Sequence, residues 1–165
     1  MILQKFPSKD FPALPQIEIE SLESWENVSL PESVLSLIKK KGKINFSPNV
    51  IINSYKVFED FNLETNKKNI SSSLEALDDL HIFNDRMSEI NNKNWQVIEY
   101  IFKSKEVGLV AQIIATTIID IENAKFIIRF TGTAAAKEES ENNDYMEIQK
   151  ILSSIKISGE QKYEN

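Results

Sequence analysis

The chain has a single histidine, His81, which follows Asp78 and Asp79 and is its nearest approach to a general base beside an orienting acid. A lone imidazole where a helix gives way to a strand reads more simply as a loop residue, so no catalytic residue is assigned. Glu138, Glu139, Glu141 and Asp144 form an acidic cluster whose oxygens would suit a hard cation. Their spacing lacks the calcium-loop pattern and its glycine. Acids at the start of a helix are stabilised by its free N–H groups, which accounts for the cluster without a metal. Lys39-Lys40-Lys41-Gly42-Lys43 could meet an anionic partner, but on an acidic protein such a run is expected to be a solvated turn. Only four glycines occur, none clustered, so there is no phosphate-cradling loop. With no cysteine, disulfides, thiolate nucleophiles, zinc–thiolate sites and iron–sulfur ligation are all excluded. No cofactor and no metal are expected, and the chain is read as a non-enzyme.

These residues belong to a chain of 165 residues, long enough for one domain with a sizeable core and short for two. Residues 1–15 read as an extended N-terminal arm, 16–157 as a single α+β domain and 158–165 as a flexible polar tail. A formal charge of −6 would repel phosphate backbones and anionic lipid, which argues against nucleic acid as a partner. No apolar run approaches the roughly 20 residues of a membrane-spanning helix. Pro7, Lys9 and Asp10 interrupt any export-signal pattern near the start, so a cytoplasmic location is expected; if an export signal was removed, the periplasm or cell envelope is expected instead.

Three segments near the middle, Asn94 to Phe102, Val107 to Ile119 and Ala124 to Thr131, alternate as β-strands joined by short polar turns. They are expected to form the centre of an antiparallel sheet. Pro7, Pro12 and Pro15 bias the lead-in away from helix. Ile17 and Ile19 alternate with Glu18 and Glu20 as in a strand. Ser24 to Asn27 suggests a turn, with Trp25 plugging one end of the core. Ser33 to Lys41 reads as a short helix after Pro31, with a solvated loop as the alternative. Asn49 to Phe58 reads as a long strand and Asn62 to Asp79 as a helix capped by Asn62 or Thr65. A strand from Ile82 to Ile90 follows, turning at Asn91–Lys93. Ser140 to Lys156 is a second helix, with Tyr145, Ile148, Ile151, Leu152 and Ile155 on one stripe.

A turn centred on Ser104-Lys105 would set Tyr100 opposite Leu109 and Ile98 opposite Ala111. One face would then carry Ile98, Tyr100, Phe102, Leu109, Ala111, Ile113 and Ala115, and a turn at Glu122-Asn123 adds Phe126, Ile128 and Phe130. Ala111 and Ala115 leave room for a helix, and Ile128→Asp is expected to unfold the protein. The reverse face is mixed. It is expected either to be covered by a helix or the N-terminal segment, or to form a shallow groove that binds a peptide or helix. The residues assigned to that partner-binding groove are Trp95, Glu99, Gln112, Ile114, Thr116 and Arg129.

Several segments also resemble a known family: Glu23-Ser24-Trp25-Glu26-Asn27, Phe46-Ser47-Pro48-Asn49-Val50-Ile51-Ile52, Leu74-Glu75-Ala76-Leu77, Gln112, and Ile128 to Ala135. Together with the order strand, helix, meander, helix, they resemble the LpqN-like and PsbP-like α/β/α sandwich. That superfamily includes DcrB-type envelope proteins and Eag chaperones of type VI secretion effectors. The resemblance spans about Ile17 to Ile157 and implies a largely antiparallel sheet with helices packed on it, without a catalytic signature. LpqN-like members are usually lipoproteins, whereas this chain has no anchor cysteine. Eag-like members are cytoplasmic and shield hydrophobic segments of their clients. The function expected on this basis is noncatalytic protein binding, as a chaperone or adaptor for another protein, with secreted effectors among the candidates. An LpqN-like envelope protein and a hydrolase using His81 or acidic residues are the alternatives.

Overall fold

The computed structural model describes residues 4, 6–9, 12–40, 46–136 and 139–159, without the side chains of 139–141. Its strands are β1 (Gln16–Glu18), β2 (Trp25–Asn27), β3 (Leu35–Lys39), β4 (Asn49–Val57), β5 (His81–Ile90), β6 (Lys93–Ser104), β7 (Gly108–Ile121), β8 (Ala124–Ala135) and β9 (Lys156–Ser158). Its helices are α1 (Leu63–Leu74), between β4 and β5, and α2 (Glu139–Ser154), between β8 and β9. Among the described residues, seven strands form one antiparallel sheet in the order β2-β3-β4-β8-β7-β6-β5, and β1 pairs with β9 apart from it. The fold is α+β, as the alternation of the central strands implied. The described residues of 4–15 lie in no helix or strand.

Asn62 caps α1, its Oδ1 accepting from the Thr65 N–H at 2.9 Å. The helix stops at Leu74, short of the expected Asp79. Leu77 and Leu80 nevertheless continue its apolar stripe into the turn beneath it, packing with Ile70, Leu74, Ile98 and Tyr100. On the opposite face of the sheet α2 sets Ile148, Ile151, Leu152 and Ile155 over Val50, Ile52, Ile113, Ala115, Phe126, Ile128 and Phe130, forming the main core. The approach is tight at Gly132, where an added Cβ would fall 2.1 Å from Ile148 Cγ2. Glycine is required there for that contact.

Five expectations are corrected. Ser33 to Lys41 is no helix: Leu35 to Lys39 is β3, because alternation lets Ser36 and Leu37 bury on opposite faces between β2 and β4. Lys39 is likewise no solvated residue, since its Nζ lies 2.7 Å from Glu147 Oε2 and 3.0 Å from Asp144 Oδ1. Burial alone would lower the Lys39 pKa, but the two acids outweigh it and hold it above its ordinary value. Lys41 to Lys43 lie outside the described residues. The turn expected at Ser24 to Asn27 falls at Glu23–Ser24, leaving Trp25 to begin β2. Trp25 does plug one end of the core, with Nε1 donating to Glu147 at 2.9 Å. Ser158, assigned to the tail, pairs with Gln16 in the β1–β9 ladder; the rest of the expected tail, from Glu160, lies outside the described residues. Glu138 and the side chains of Glu139 and Glu141 also lie outside the description.

The fifth correction concerns register. Tyr100 faces Gln112 and Ile98 faces Ile114, because the β6–β7 turn occupies Lys105–Val107 and closes Ser104 against Gly108. The expected pairing was three positions away, an odd number, so it turned β6 over. The β7–β8 pairing follows the expected turn, with Ile121 against Ala124. The main core therefore takes Trp95 and Val97 from β6, whereas Ile98, Tyr100 and Phe102 lie under α1.

Candidate functional site

β5 lies at one edge of the sheet and runs for ten residues, paired on its inner side with β6 alone. It starts after Asp79, whose φ of 51° turns the chain back from α1, and ends at Asn91 and Asn92, with φ of 47° and 62°. Asparagine tolerates this left-handed conformation better than most residues, which suits the pair to a tight hairpin. The Asn91 side-chain amide donates to the carbonyls of Ser153 and Ile155, at 3.2 and 2.8 Å, and ties the hairpin to the end of α2.

The ladder is interrupted by a bulge. Ile82 faces Tyr100, but Asn84 faces Glu99, which leaves Phe83 as the extra residue. The Phe83 ring meets Tyr145 of α2 edge-on at 6.4 Å while staying 48% exposed. Ile82 and Met87 are exposed as well, at 45% and 56%. Asp85 pairs with Lys67 of α1 at 2.7 Å. The edge is thus a row of backbone groups, unpaired among the described residues, flanked by three accessible apolar side chains and held from both sides by helices.

Beside it lies Glu99, 3% exposed. Its carboxylate accepts from Asn84 Nδ2, from the Tyr145 hydroxyl at 2.8 Å and from Gln149 Nε2 at 2.7 Å, with no cation within ion-pair distance among the described residues. Burial raises the Tyr145 pKa, and the hydrogen bond to Glu99 raises it further, so the phenol stays a donor. Arg86, Ser88, Val97, Glu99, Gln149 and Leu152 border an open cleft of about 410 Å³ between β5 and α2.

The six residues assigned to one groove do not share a face. Trp95 and Glu99 point toward α2, while Gln112, Ile114, Thr116 and Arg129 point toward α1. The reason is the odd shift of β6. Ile114 packs in the cluster under α1, and Thr116 is fully buried. Gln112 accepts from the Tyr100 hydroxyl and donates to Thr133 Oγ1 at 2.7 Å. Burial pushes the Tyr100 phenol up to about 12. Arg129 Nη2 donates to Asn66 Oδ1 of α1 at 2.9 Å. Helix α1 thus covers part of this face, although Arg129 Nε, Asn66 Nδ2, Thr116 Oγ1 and Gln96 Oε1 are buried without hydrogen-bond partners among the described residues. His81 is exposed and bonds to no acid among the described residues, and Asp79 lies 3.9 Å from Lys103. Sequence reasoning placed β5 but missed its edge position. Asp85, Arg86 and Glu89 within an otherwise strand-like run were the available signal.

No family model matches the chain, and no curated protein does. Among solved structures it is similar to LpqN of Mycobacterium tuberculosis, described as involved in cell envelope biogenesis, with 14% identity and a TM-score of 0.70 over 87% of this chain and 84% of that one. It is also similar to the cyanobacterial PsbP (CyanoP) of Synechocystis sp. PCC 6803, with 12% identity and a TM-score of 0.56 over 86% of this chain and 92% of that one. The fold is therefore LpqN/PsbP-like. No helix among the described residues is long and apolar enough to cross a membrane.

Proposed function

We propose that this chain is a noncatalytic protein-binding domain that receives an extended segment of another protein along the outer edge of β5, serving as a chaperone or adaptor. The observation that carries this reading is the ten-residue edge strand with Ile82, Phe83 and Met87 exposed beside it. A free edge supplies backbone hydrogen bonds for affinity, and alternate side chains supply specificity. A second copy of the chain fits poorly. Two copies related by a two-fold axis normal to the sheet place residues of equal parity opposite each other. Registers centred on β5 then set Asp85 against Asp85 or Arg86 against Arg86, and like charges directly opposite are destabilising. The partner is therefore a different chain, with secreted effectors among the candidates, and the chaperone reading goes with a cytoplasmic location.

A second reading, an envelope-associated role, is favoured by the likeness to LpqN. It uses the same edge, and fractionation of the native cells separates the two. To test the common premise, the protein and a Phe83→Glu/Met87→Glu variant are immobilised and exposed to extract from those cells. One protein retained by the first and lost by the second, with matching thermal midpoints, is expected. Equal retention by both, or retention by neither, would count against the edge.

A further inference from the structure

We infer that the cleft between β5 and α2 receives a lysine or arginine side chain of the segment docked on β5, with Glu99 as its counter-ion. This rests on the edge reading above and goes further, to the chemistry of the partner.

Three features of the cleft point that way. First, Glu99 is almost wholly buried and oriented by Asn84, Tyr145 and Gln149, yet all three donors are neutral. Carboxylates removed from water are ordinarily matched by a cation. Second, the cleft is built for a long side chain with a charged head: Val97, Ile113 and Leu152 line it for an aliphatic stem, and Glu99 and Gln149 lie among its polar members. Third, strand geometry delivers the group. Glu99, Asn84, Val97 and Arg86 share the α2 side of the sheet through the pairs Asn84–Glu99 and Arg86–Val97. A strand added outside β5 would therefore turn every second side chain toward α2, and one placed opposite this stretch enters the cleft.

Arg86 is the internal competitor. It borders the same cleft, but its Nε donates to Ser88 Oγ at 3.0 Å and its guanidinium makes no ion pair among the described residues. Glu89 also borders the cleft, but by its pairing with Asn94 it belongs to the α1 side of the sheet, which leaves Glu99 as the carboxylate on the α2 side.

The test uses the full chain and fluorescein-labelled heptapeptides of alternating threonine and valine, whose central residue is lysine, norleucine or glutamate, read by fluorescence anisotropy. The lysine peptide is expected to bind about 10- to 100-fold more tightly than the norleucine peptide, as for a charge-assisted hydrogen bond gained in a buried site. Glu99→Gln should abolish that preference, whereas Glu89→Gln should preserve it. Because Glu99→Gln alters a buried network, Ser153→Trp, which blocks the cleft from an exposed position, serves as an independent variant and should abolish the preference too. Equal affinity for lysine and norleucine peptides, or a lysine preference that survives both cleft variants, would overturn the inference while leaving the edge reading intact. Binding of none of the peptides up to millimolar concentration would overturn both.

Discussion

The two edges of the sheet end in opposite ways. At β2 the sheet stops after three residues: Trp25 turns inward and bonds to α2, and Glu26 pairs with Lys40. At β5 it stops with ten residues, of which Ile82, Phe83 and Met87 keep large apolar surfaces in solvent. A strand of three residues is too short to template another, so that edge can be spent on sealing the core. A long edge invites pairing, and charged residues such as Asp85, Arg86 and Glu89 disfavour indiscriminate pairing. Stability should therefore depend on the β2 side and partner capture on the β5 side.

The largest effect is expected between the edges. Ile128 is fully buried at the middle of the main core, and Ile128→Asp should leave no cooperative thermal transition by circular dichroism, a loss of more than about 4 kcal/mol. Next comes Trp25→Ala at the short edge, expected to cost about 3–5 kcal/mol in chemical denaturation while the remaining folded protein captures its partner normally. A stability change below about 1 kcal/mol would show that β2 does not seal the core.

A smaller effect tests whether the β5 side is ordered. Tyr100 faces Ile82 of β5, and burial raises its phenol from the ordinary 10.0 to about 12. The folded protein thus holds this proton more tightly than the unfolded chain, so the contribution to stability is unchanged below pH 10, declines as pH rises above it, and is spent beyond about 12. Titration followed by tyrosine ring NMR, with Tyr100→Phe for assignment, should find this group near the raised value. Titration near 10 would mean that the β5 side is open to water. Smallest of all, Met87→Lys should shift stability by no more than about 0.5 kcal/mol, since the side chain is exposed, while still impairing capture.

What the sequence revealed, and what it hid, follows from how many readings each segment allows. Strands β7 and β8 were legible in register because Glu122 and Asn123 leave room for only one tight turn, although β7 runs to Ile121 and β8 to Ala135, past the expected ends at Ile119 and Thr131. Strand β6 was legible in span but not in facing: Trp95, Val97 and Ile101 are apolar on one side, and Ile98, Tyr100 and Phe102 on the other. Alternation could not choose between them, and the chosen two-residue turn missed the three-residue turn ended by Gly108, whose φ is 91°. Val34, Leu37 and Ile38 fit a helical stripe as readily as Leu35 and Leu37 fit one face of a short strand, and tertiary pairing with β4 decides the matter. The edge position of β5 is set by sheet order, a long-range property, and the charges of Asp85, Arg86 and Glu89 were its only local trace.

The contrast between the edges is tested most directly by photo-cross-linking in the native cells, with a benzophenone side chain at Met87 in one protein and at Glu26 in another. Illumination should yield one discrete adduct with a different protein from the Met87 position and none from Glu26. Adducts of equal yield from both positions, or an adduct from Glu26 alone, would contradict the assignment of β5 as the docking edge.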